Sequence, residues 1–330
     1  MKNSYKLAIV IPAFKIEFFR QAIQSIADQT CKDFTLYIGD DASPHNLEEI
    51  INSFKKSINI VYKRFNTNLG ATDLVAHWNR CIDLVQQEEW IWFFSDDDLM
   101  DSTCVDFFYK HVHKNPEHTL LHFNLQIINQ NNAPIYKSLK FDSYFSAADF
   151  FKKRISSAIH SCAVEYIFKR ALFEAVNRFE SFDLAWTSDD ATWIKLSVSN
   201  GINTIDGAFV KWRQSDFNIS PKSDTNTVYR KLNATINYIK WVDNFFQQHN
   251  IKDVSSKFEK VGYPIRVITY TKSLSFKEKI SLITYTAKSL NFNKLLMRII
   301  LFWVFLELKQ VVKHIANYDR HAISELAIVG

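Results

Sequence analysis

Glycine, proline and cysteine are all scarce in this sequence, and each shortage excludes a class of protein. The 330 residues include 6 glycines and 6 prolines, too few for a collagen-like or low-complexity chain. The cysteines contain no CxxC pair, which argues against zinc-finger and disulfide frameworks. We therefore expect a globular cytoplasmic protein whose cysteines are reduced, namely Cys31, Cys81, Cys104 and Cys162.

Long hydrophobic runs are also missing. A membrane-spanning helix needs about 20 consecutive apolar residues, and the nearest candidate, residues 295–306, is interrupted by Arg298. The apolar run at residues 7–12 ends in proline, which is typical of a strand rather than a secretory signal. The sequence therefore predicts no transmembrane helix.

Charge is distributed unevenly along the chain. Residues 226–330 hold 16 Lys and Arg against 7 Asp and Glu, which leaves 24 against 28 in residues 1–225. A basic tail of this kind fits either a solvated helical surface or contact with an anionic partner such as phospholipid. Because the basic residues form no nucleic-acid-binding motif, we expect no nucleic-acid partner.

Short strand-like runs alternate with helical patterns through the first part of the chain. Strands are predicted at residues 7–12, 34–39, 59–64 and 90–94. Such βαβ alternation is typical of a mostly parallel sheet flanked by helices. The pattern becomes wholly helical from about residue 227. We expect an α/β domain over residues 1–225 and a helical extension over residues 226–330.

Three consecutive carboxylates follow the most hydrophobic of these strands. Residues 90–94 are apolar on both faces, which predicts a buried central strand. Asp96, Asp97 and Asp98 follow it, and open α/β sheets bind ligands at the carboxyl ends of their strands. An acidic turn that caps the next helix through Asp98 or Asp101 is the alternative.

Polar groups also follow two other predicted strands. Asp40 and Asp41 come after the second strand, and a turn containing Asn68 and Gly70 follows the third. Because parallel strands end at one edge of a sheet, these groups could form a single site. The alternative is that they shape ordinary turns that begin the following helices.

Five segments carry a resemblance to a known family. They are Ile-Pro-Ala-Phe at 11–14, Ala-Ile-Gln-Ser-Ile-Ala-Asp-Gln-Thr at 22–30, Asp-Phe-Thr-Leu-Tyr-Ile-Gly-Asp-Asp-Ala-Ser at 33–43, Asn-Thr-Asn-Leu-Gly at 66–70 and Phe-Phe-Ser-Asp-Asp-Asp at 93–98. In this order and spacing the chain resembles family 2 of the glycosyltransferases, from about residue 5 to residue 220. The resemblance implies the GT-A fold, a Rossmann-like nucleotide-binding architecture. It also implies a UDP-sugar donor and inversion at the anomeric carbon.

The resemblance further implies a donor site. Pro12 and Ala13 would lie along the uridine, and Asp41 would accept a hydrogen bond from the uracil ring. The residues implied in nucleotide binding are Pro12, Ala13, Phe14, Asp40, Asp41, Asn68, Gly70, Asp96 and Arg213.

The acidic run corresponds in this resemblance to the family's DxD motif. That motif binds a divalent cation, Mn²⁺ or Mg²⁺, through the diphosphate. Ser95 stands where most relatives have the first acidic residue. The resemblance therefore favours Asp97, and then Asp98, as the metal ligands, and it leaves the choice among Asp96, Asp97 and Asp98 open.

An acidic pair later in the chain supplies the candidate catalytic base. Asp189 and Asp190 begin a predicted helix, where the family places its base, and Asp190 is the better match. The reaction needs a carboxylate within hydrogen-bond reach of the acceptor hydroxyl. Asp189, as a neighbouring like charge, would raise the affinity of the pair for a proton. The alternative is that the two acidic side chains only stabilise the N-terminus of the helix through its dipole.

Residues 210–220 resemble the loop that closes over the diphosphate in relatives. Arg213 is the candidate phosphate contact, because a guanidinium pairs with two phosphate oxygens. Many relatives have histidine where this chain has Ser215. We therefore expect no histidine ligand to a metal.

The helical extension contains the most apolar helix of the chain. Helices are predicted at residues 276–289 and 292–316, and breaks are predicted at Gly262 and Pro264. Residues 295–306 are apolar nearly all round, so this helix is either buried or lies in a membrane interface. We expect peripheral contact with the inner face of the membrane, helped by flanking Lys294, Arg298, Lys309 and Lys313.

The sequence thus predicts an inverting, metal-dependent glycosyltransferase of polysaccharide biosynthesis of the capsule or O-antigen kind. Its acceptor would be a glycan or a lipid-linked molecule. One alternative is a non-catalytic nucleotide-sugar-binding subunit of a polysaccharide assembly complex. Another is a sugar-phosphate nucleotidyltransferase, but that class needs a glycine-rich loop after the first strand, and residues 12–16 contain no glycine.

Overall fold

Strands and helices alternate through the first half of the chain. The computed structural model describes residues 6–136, 140–216, 224–269, 271 and 273–305. Its strands are β1 (Leu7–Ala13), β2 (Phe34–Asp40), β3 (Asn59–Arg64), β4 (Trp90–Phe93), β5 (Leu99–Met100), β6 (Leu120–Ile128), β7 (Tyr144–Phe145), β8 (Tyr166–Lys169) and β9 (Ile202–Arg213). Its helices are α1 (Phe19–Ala27), α2 (Leu47–Asn52), α3 (Leu74–Ile82), α4 (Cys104–Lys114), α5 (Ala147–Ile155), α6 (Arg170–Ala175), α7 (Ser188–Leu196), α8 (Thr225–Gln248), α9 (Lys257–Thr269) and α10 (Phe276–Ser289). A further helix covers residues 296–305.

A nine-stranded sheet organises the α/β part of the chain. Its strand order is β3-β2-β1-β4-β8-β6-β9-β5, with β7 paired to β9. The pairs β1–β2, β1–β4, β2–β3 and β6–β9 are parallel. β8 is inserted antiparallel between β4 and β6. This mostly parallel sheet with flanking helices confirms the predicted fold class.

The strand directions bring several chain segments to one edge of the sheet. The strands β1, β2 and β4 are parallel and therefore end at the same edge. Since β8 is antiparallel to both β4 and β6, the strands β6 and β9 also end there and β8 begins there. The segments after β1, β2, β4, β6 and β9, and the segment before β8, therefore share one edge.

The predicted central strand is confirmed. In β4 the side chains of Trp90, Ile91 and Trp92 are fully buried, although they point to alternate faces of the sheet. Pro12 is tolerated within β1 because β4 pairs only with Leu7 to Val10, so the missing N–H interrupts no hydrogen bond to β4.

Helix α3 packs directly on the backbone of β2 at Gly39. A Cβ atom on Gly39 would lie 2.3 Å from Cys81 Sγ. We expect Gly39→Ala to lower the free energy of unfolding by about 1–3 kcal/mol, because the helix must move outward. Urea denaturation measures this change. Gly262→Ala, in α9, is the control: its nearest neighbour would be a Phe302 ring atom at 3.7 Å.

The control substitution has the opposite expected sign. Alanine in a helix interior is about 0.5–1 kcal/mol more favourable than glycine, so Gly262→Ala should leave stability unchanged or raise it. Equal effects of the two substitutions would contradict the close packing of α3 on β2.

Two sequence-based expectations, and one alternative to the acidic-loop site, are wrong. Gly262 and Pro264 lie inside α9 rather than at breaks, because their buried packing compensates for the one hydrogen bond that proline cannot make. Residues 210–213 form the end of β9 rather than a loop. Neither Asp98 nor Asp101 is the N-cap of α4, which begins after Thr103. Residues 217–220 of the predicted loop lie outside the described residues.

The chain divides into two compact units. The first comprises residues 1–221 and 242–254, and the second comprises residues 222–241 and 255–330. The domain boundary expected near residue 225 stays a prediction.

Helix α10 begins and ends at the predicted residues. It starts with a capping box, in which the side chains of Ser275 and Glu278 each accept a hydrogen bond from the backbone N–H of the other residue.

Candidate active site

The turns after β1 and β2 are fastened to each other at the shared edge. The N–H of Asp41 donates to the carbonyl of Ala13 (2.9 Å), and the Ser43 hydroxyl donates to the carbonyl of Phe14 (2.6 Å). The side chain of Phe14 is 37% exposed and half-buried Pro12 precedes it. These contacts hold residues 12–14 as one fixed surface, the ledge, beside the acidic loop that follows β4.

Asp41 joins the end of β2 to the turn after β3. Its carboxylate accepts hydrogen bonds from the N–H groups of Leu69 and Gly70, both at 2.8 Å, and pairs with Arg80. A Cβ atom on Gly70 would lie 2.6 Å from the Asp41 carboxylate, so only glycine permits this approach. Asn68 is exposed and accepts a hydrogen bond from the N–H of Ala71 (3.0 Å), which shapes the same turn.

Asp40 has a different environment from Asp41. It is fully buried and accepts hydrogen bonds from the N–H of Ser43 (2.8 Å), the Tyr62 hydroxyl (2.7 Å) and Arg64 (2.9 Å). These contacts are those of the turn-forming alternative. A direct contact of Asp40 with nucleotide stays a prediction.

The acidic loop after β4, residues 95–98, is hydrogen-bonded to the backbone of Phe14 and Lys15. Asp96 accepts hydrogen bonds from the N–H groups of Phe14 (2.9 Å) and Lys15 (2.8 Å). The Lys15 ammonium lies 3.3 Å from the other Asp96 oxygen and pairs closely with Asp97. Burial alone would lower the pKa of Lys15, but the charges of Asp96 and Asp97 outweigh it and raise that pKa.

Ser95 connects the other two carboxyl groups. Its Oγ lies 3.0 Å from Asp97 Oδ1 and 2.5 Å from Asp98 Oδ2. A hydroxyl carries one proton, so both contacts are hydrogen bonds only if one of the two carboxyl groups brings a proton of its own. Burial and the charge of Asp97 raise the pKa of Asp98 to about 8, in agreement with a protonated Asp98.

Arg213, at the end of β9, is fully buried beside this loop. Its N–H donates to Asp98 Oδ1 (2.6 Å), and its Nε donates to the Asp97 carbonyl (2.7 Å). The rest of the guanidinium donates to the carbonyls of residues 129 and 130 and to the Gln21 side chain, and it lies over the Phe18 ring. Because these contacts occupy the guanidinium, the structure supports a positioning role for Arg213 better than the predicted phosphate contact.

The described residues do not offer the open ligand set that a divalent cation needs. Each of the six oxygens of Asp96, Asp97 and Asp98 already faces a hydrogen-bond donor or the Lys15 ammonium. Among the described residues, no group of three or more His, Cys, Asp or Glu side chains could hold a metal ion. The fit of Mn²⁺ or Mg²⁺ to Asp97 and Asp98 is therefore poor while Lys15 stays in place.

The second acidic pair begins α7, as predicted. Residues Leu184, Ala185 and Thr187, just before the helix, have left-handed backbone conformations with φ of 59°, 53° and 66°. Non-glycine residues adopt this conformation at a cost and often do so at functional sites. The backbone strain thus lies directly beside Asp189 and Asp190.

Asp190 and Asp189 differ sharply in what surrounds their carboxylates. Asp190 is 1% exposed, and both of its oxygens accept from Arg154, through Nε and Nη2 at 2.8 Å each. Asp189 is half-buried. Burial and the charge of Asp190 raise the pKa of Asp189 to about 7, against the opposing charge of Arg154. A partly exposed carboxylate with its pKa raised toward neutrality has the properties that a general base needs.

Two side chains in the segment before β8 also lie in this region. Burial raises the pKa of the Cys162 thiol, and the charges of Glu165, Asp98 and Asp189 add to the shift. The thiol therefore lies within electrostatic reach of both the acidic loop and α7. Glu165 is fully buried and accepts from the N–H of Cys162 (2.9 Å), and its pKa is also raised by burial.

Four residues of this region were absent from the sequence-based site: Lys15, Arg154, Cys162 and Glu165. Lys15 offered a weak signal, since it follows the predicted β1 turn directly. Arg154 and Asp190 are 36 residues apart, and their pairing depends on the packing of α5 against α7. Cys162 and Glu165 reach the site because β8 is antiparallel, a direction that no local pattern reveals.

Comparisons with known proteins agree with the fold and identify a family. Residues 8–176 match the profile of the family described as Glycosyl transferase family 2. The fold is similar to that of residues 1–349 of S. aureus TarS in complex with UDP-GlcNAc, with a TM-score of 0.56, 13% identity, and coverage of 88% of this chain and 90% of that one. The corresponding TarS structure with UDP gives a TM-score of 0.54 at 14% identity, with the same coverage. No curated protein matches the sequence at a significant level.

Proposed function

The chain belongs to glycosyl transferase family 2, and from that premise we propose that it moves a sugar from a UDP-sugar to an acceptor hydroxyl with inversion at the anomeric carbon. The acceptor is a glycan or a lipid-linked molecule of polysaccharide biosynthesis. The observation that carries the proposal is that β1, β2 and β4 end at one edge of the sheet, and that the acidic loop after β4 and the acidic pair of α7 are both within electrostatic reach of Cys162. The nucleotidyltransferase alternative has no support in the family match.

The donor side lies on the ledge formed by the ends of β1 and β2. Pro12, Ala13 and Phe14 supply a partly exposed surface for the uridine, and Asp41 is held in place by Leu69 and Gly70. A carboxylate oxygen has two lone pairs, so Asp41 can still accept a hydrogen bond from the uracil ring. The diphosphate then extends toward the loop of Asp96 to Asp98.

The acceptor side is assigned to Asp189. Its ionised carboxylate takes the proton of the acceptor hydroxyl as that oxygen attacks the anomeric carbon. The new carbon–oxygen bond forms as the bond to UDP breaks, and UDP leaves with the electron pair. The proton on Asp189 passes to solvent after the product departs. Asp190, paired with Arg154, fixes the first turn of α7 and so positions Asp189.

The proposed function is tested by the release of UDP from a panel of UDP-sugars. Water can take the place of the acceptor hydroxyl at a slow rate. Release of UDP therefore does not require the natural acceptor. We expect one UDP-sugar to be hydrolysed well above the others, and GDP-sugars to be inert. Hydrolysis of no UDP-sugar, together with no binding of UDP, would contradict the proposal.

The second unit supports peripheral contact with a membrane. Within the described ranges, every helix is too short or too polar to span a bilayer. In the helix at residues 296–305, Ile299 and Trp303 are buried, whereas Met297, Leu301 and Phe305 are 69%, 61% and 51% exposed. These exposed residues are spaced four apart and form one apolar face. Arg298 is exposed beside them. Predicted flanking residues Lys309 and Lys313 lie outside the described residues.

Flotation with vesicles that contain phosphatidylglycerol tests this contact. We expect the wild-type chain to float and the variant M297S/L301S/F305S to float at least about tenfold less, because each lost apolar side chain removes about 1.5–3 kcal/mol of burial. Tyr136→Ser, which alters an exposed aromatic residue of the first unit, is the control. A wild-type chain that stays at the bottom of the gradient would contradict the contact.

A further inference from the structure

The ammonium of Lys15 lies at the centre of the acidic loop. Its Nζ is 3.3 Å from Asp96 Oδ1 and pairs with Asp97 Oδ2, and the backbone N–H of the same residue donates to Asp96 Oδ2 at 2.8 Å. The backbone and the side chain of one residue therefore hold the loop together. The Lys15 side chain is 27% exposed, whereas those of Asp96 and Asp97 are 6% and 5% exposed. Lys15 is thus the most exposed side chain of this cluster.

An ammonium carries three N–H donors. Asp97 accepts one of these donors from Lys15, and Asp96 Oδ1 lies at ion-pair distance, 3.3 Å from Nζ. At least one donor remains for a group on the solvent side, and a diphosphate oxygen is an acceptor of the required charge. The Lys15 ammonium occupies Asp97 Oδ2 and the Ser95 hydroxyl faces Oδ1, so a divalent cation that takes both Asp97 oxygens must displace the ammonium.

Arg213 adds a second positive charge on the protein side of the loop. Its Nε donates to the Asp97 carbonyl at 2.7 Å. The two cations together offset two of the three carboxylate charges. The third carboxylate, Asp98, is 2% exposed and faces the Arg213 N–H and the Ser95 hydroxyl, whereas Lys15 is the most exposed side chain of the cluster. Lys15 is therefore the charged group that an anionic ligand can meet without an added metal ion.

We propose that the Lys15 ammonium takes the place of the divalent cation, so that the donor site binds the diphosphate of UDP without metal. The proposal rests on the proposed function, since it assigns one contact of the same donor. It replaces the expectation that Asp97 and Asp98 bind Mn²⁺ or Mg²⁺.

Calorimetric titration with UDP tests the proposal, once in EDTA and once in Mn²⁺. We expect the Kd of the wild-type chain to agree within about twofold between the two buffers, and Lys15→Met to bind UDP at least about tenfold more weakly in EDTA. In Lys15→Met, Mn²⁺ should restore binding, because the freed Asp96 and Asp97 can then hold the ion. Lys63→Met, at an exposed lysine of β3, is the control and should behave as wild type.

Thermal unfolding without UDP gives a second readout that does not depend on the donor. A ligand that binds only the folded chain raises its Tm. We expect Mn²⁺ to raise the Tm of Lys15→Met and to leave that of the wild type unchanged. Equal shifts in the two proteins would overturn the proposal.

The two possible failures are distinguishable. Binding of UDP by the wild-type chain in Mn²⁺ but not in EDTA would overturn the role of Lys15 and leave the UDP site intact. The same holds if Lys15→Met binds UDP as the wild type does in EDTA. Absence of UDP binding in both buffers would overturn the proposed function, and the role of Lys15 with it.

Discussion

Asp189→Asn should lower kcat by a factor of about 10²–10⁴, the usual contribution of a general base. The substitution keeps the size and polarity of a half-buried side chain, so the fold and the affinity for UDP should change little. Single-turnover transfer, or UDP release where the acceptor is water, measures the loss. An Asp189→Asn variant with wild-type kcat would remove Asp189 from the reaction.

The pH dependence of the wild-type enzyme gives an independent check on the same residue. Asp189 acts as a base when ionised, and burial with the charge of Asp190 raises its pKa to about 7. The rate should therefore fall as the pH drops through 7, by about tenfold per pH unit once most of the carboxyl is protonated. A rate that stays level from pH 8 to pH 5 would contradict this assignment.

Arg154→Met should lower the free energy of unfolding by about 3–5 kcal/mol, because it leaves the Asp190 carboxylate buried without a partner. Asp190 is 1% exposed and both of its oxygens accept from Arg154. Urea denaturation measures the loss. The double variant R154M/D190L should recover much of the stability, since an apolar pair of similar volume leaves no charge buried.

Arg178→Met is the matched control for this substitution. Arg178 pairs with Asp83 (2.5 Å) and Glu174 (2.8 Å), but all three side chains are at least 33% exposed. Exposed pairs contribute about 0–1 kcal/mol, so the control should cost little. Equal losses from Arg154→Met and Arg178→Met, or no recovery in the double variant, would contradict a structural role for the Asp190 pair.

Local patterns predicted the elements whose signals are contained in their own residues. The strand at 59–64 and the helix at 276–289 have the predicted limits. The helix has a serine cap followed by glutamate at its third position, and this signal is entirely local. The buried central strand was predictable because its apolar residues cover both faces. Pro264 shows where local patterns fail as predictors. Proline usually ends a helix, but tertiary burial keeps α9 continuous through Pro264.

The candidate site was predictable in outline but not in its pairings. Parallel strands place Asp41 and Asp96 at one edge, and this follows from the βαβ pattern. The partner of each acid depends on contacts distant in sequence. Lys15 meets Asp97 across 82 residues, and Arg154 selects Asp190 rather than its neighbour. Because Arg154 pairs with both oxygens of Asp190, the acid favoured by the family motif, we propose Asp189 as the base, and the predicted role of Asp190 stays untested.

The most direct test of the central claim is a calorimetric titration of the wild-type chain with UDP, with GDP as the comparison. The site described here predicts binding of UDP at least about tenfold tighter than that of GDP, a difference of about 1.4 kcal/mol, because the ledge beside Asp41 is assigned to uracil. Failure to bind UDP, or equal affinity for GDP, would contradict the donor site.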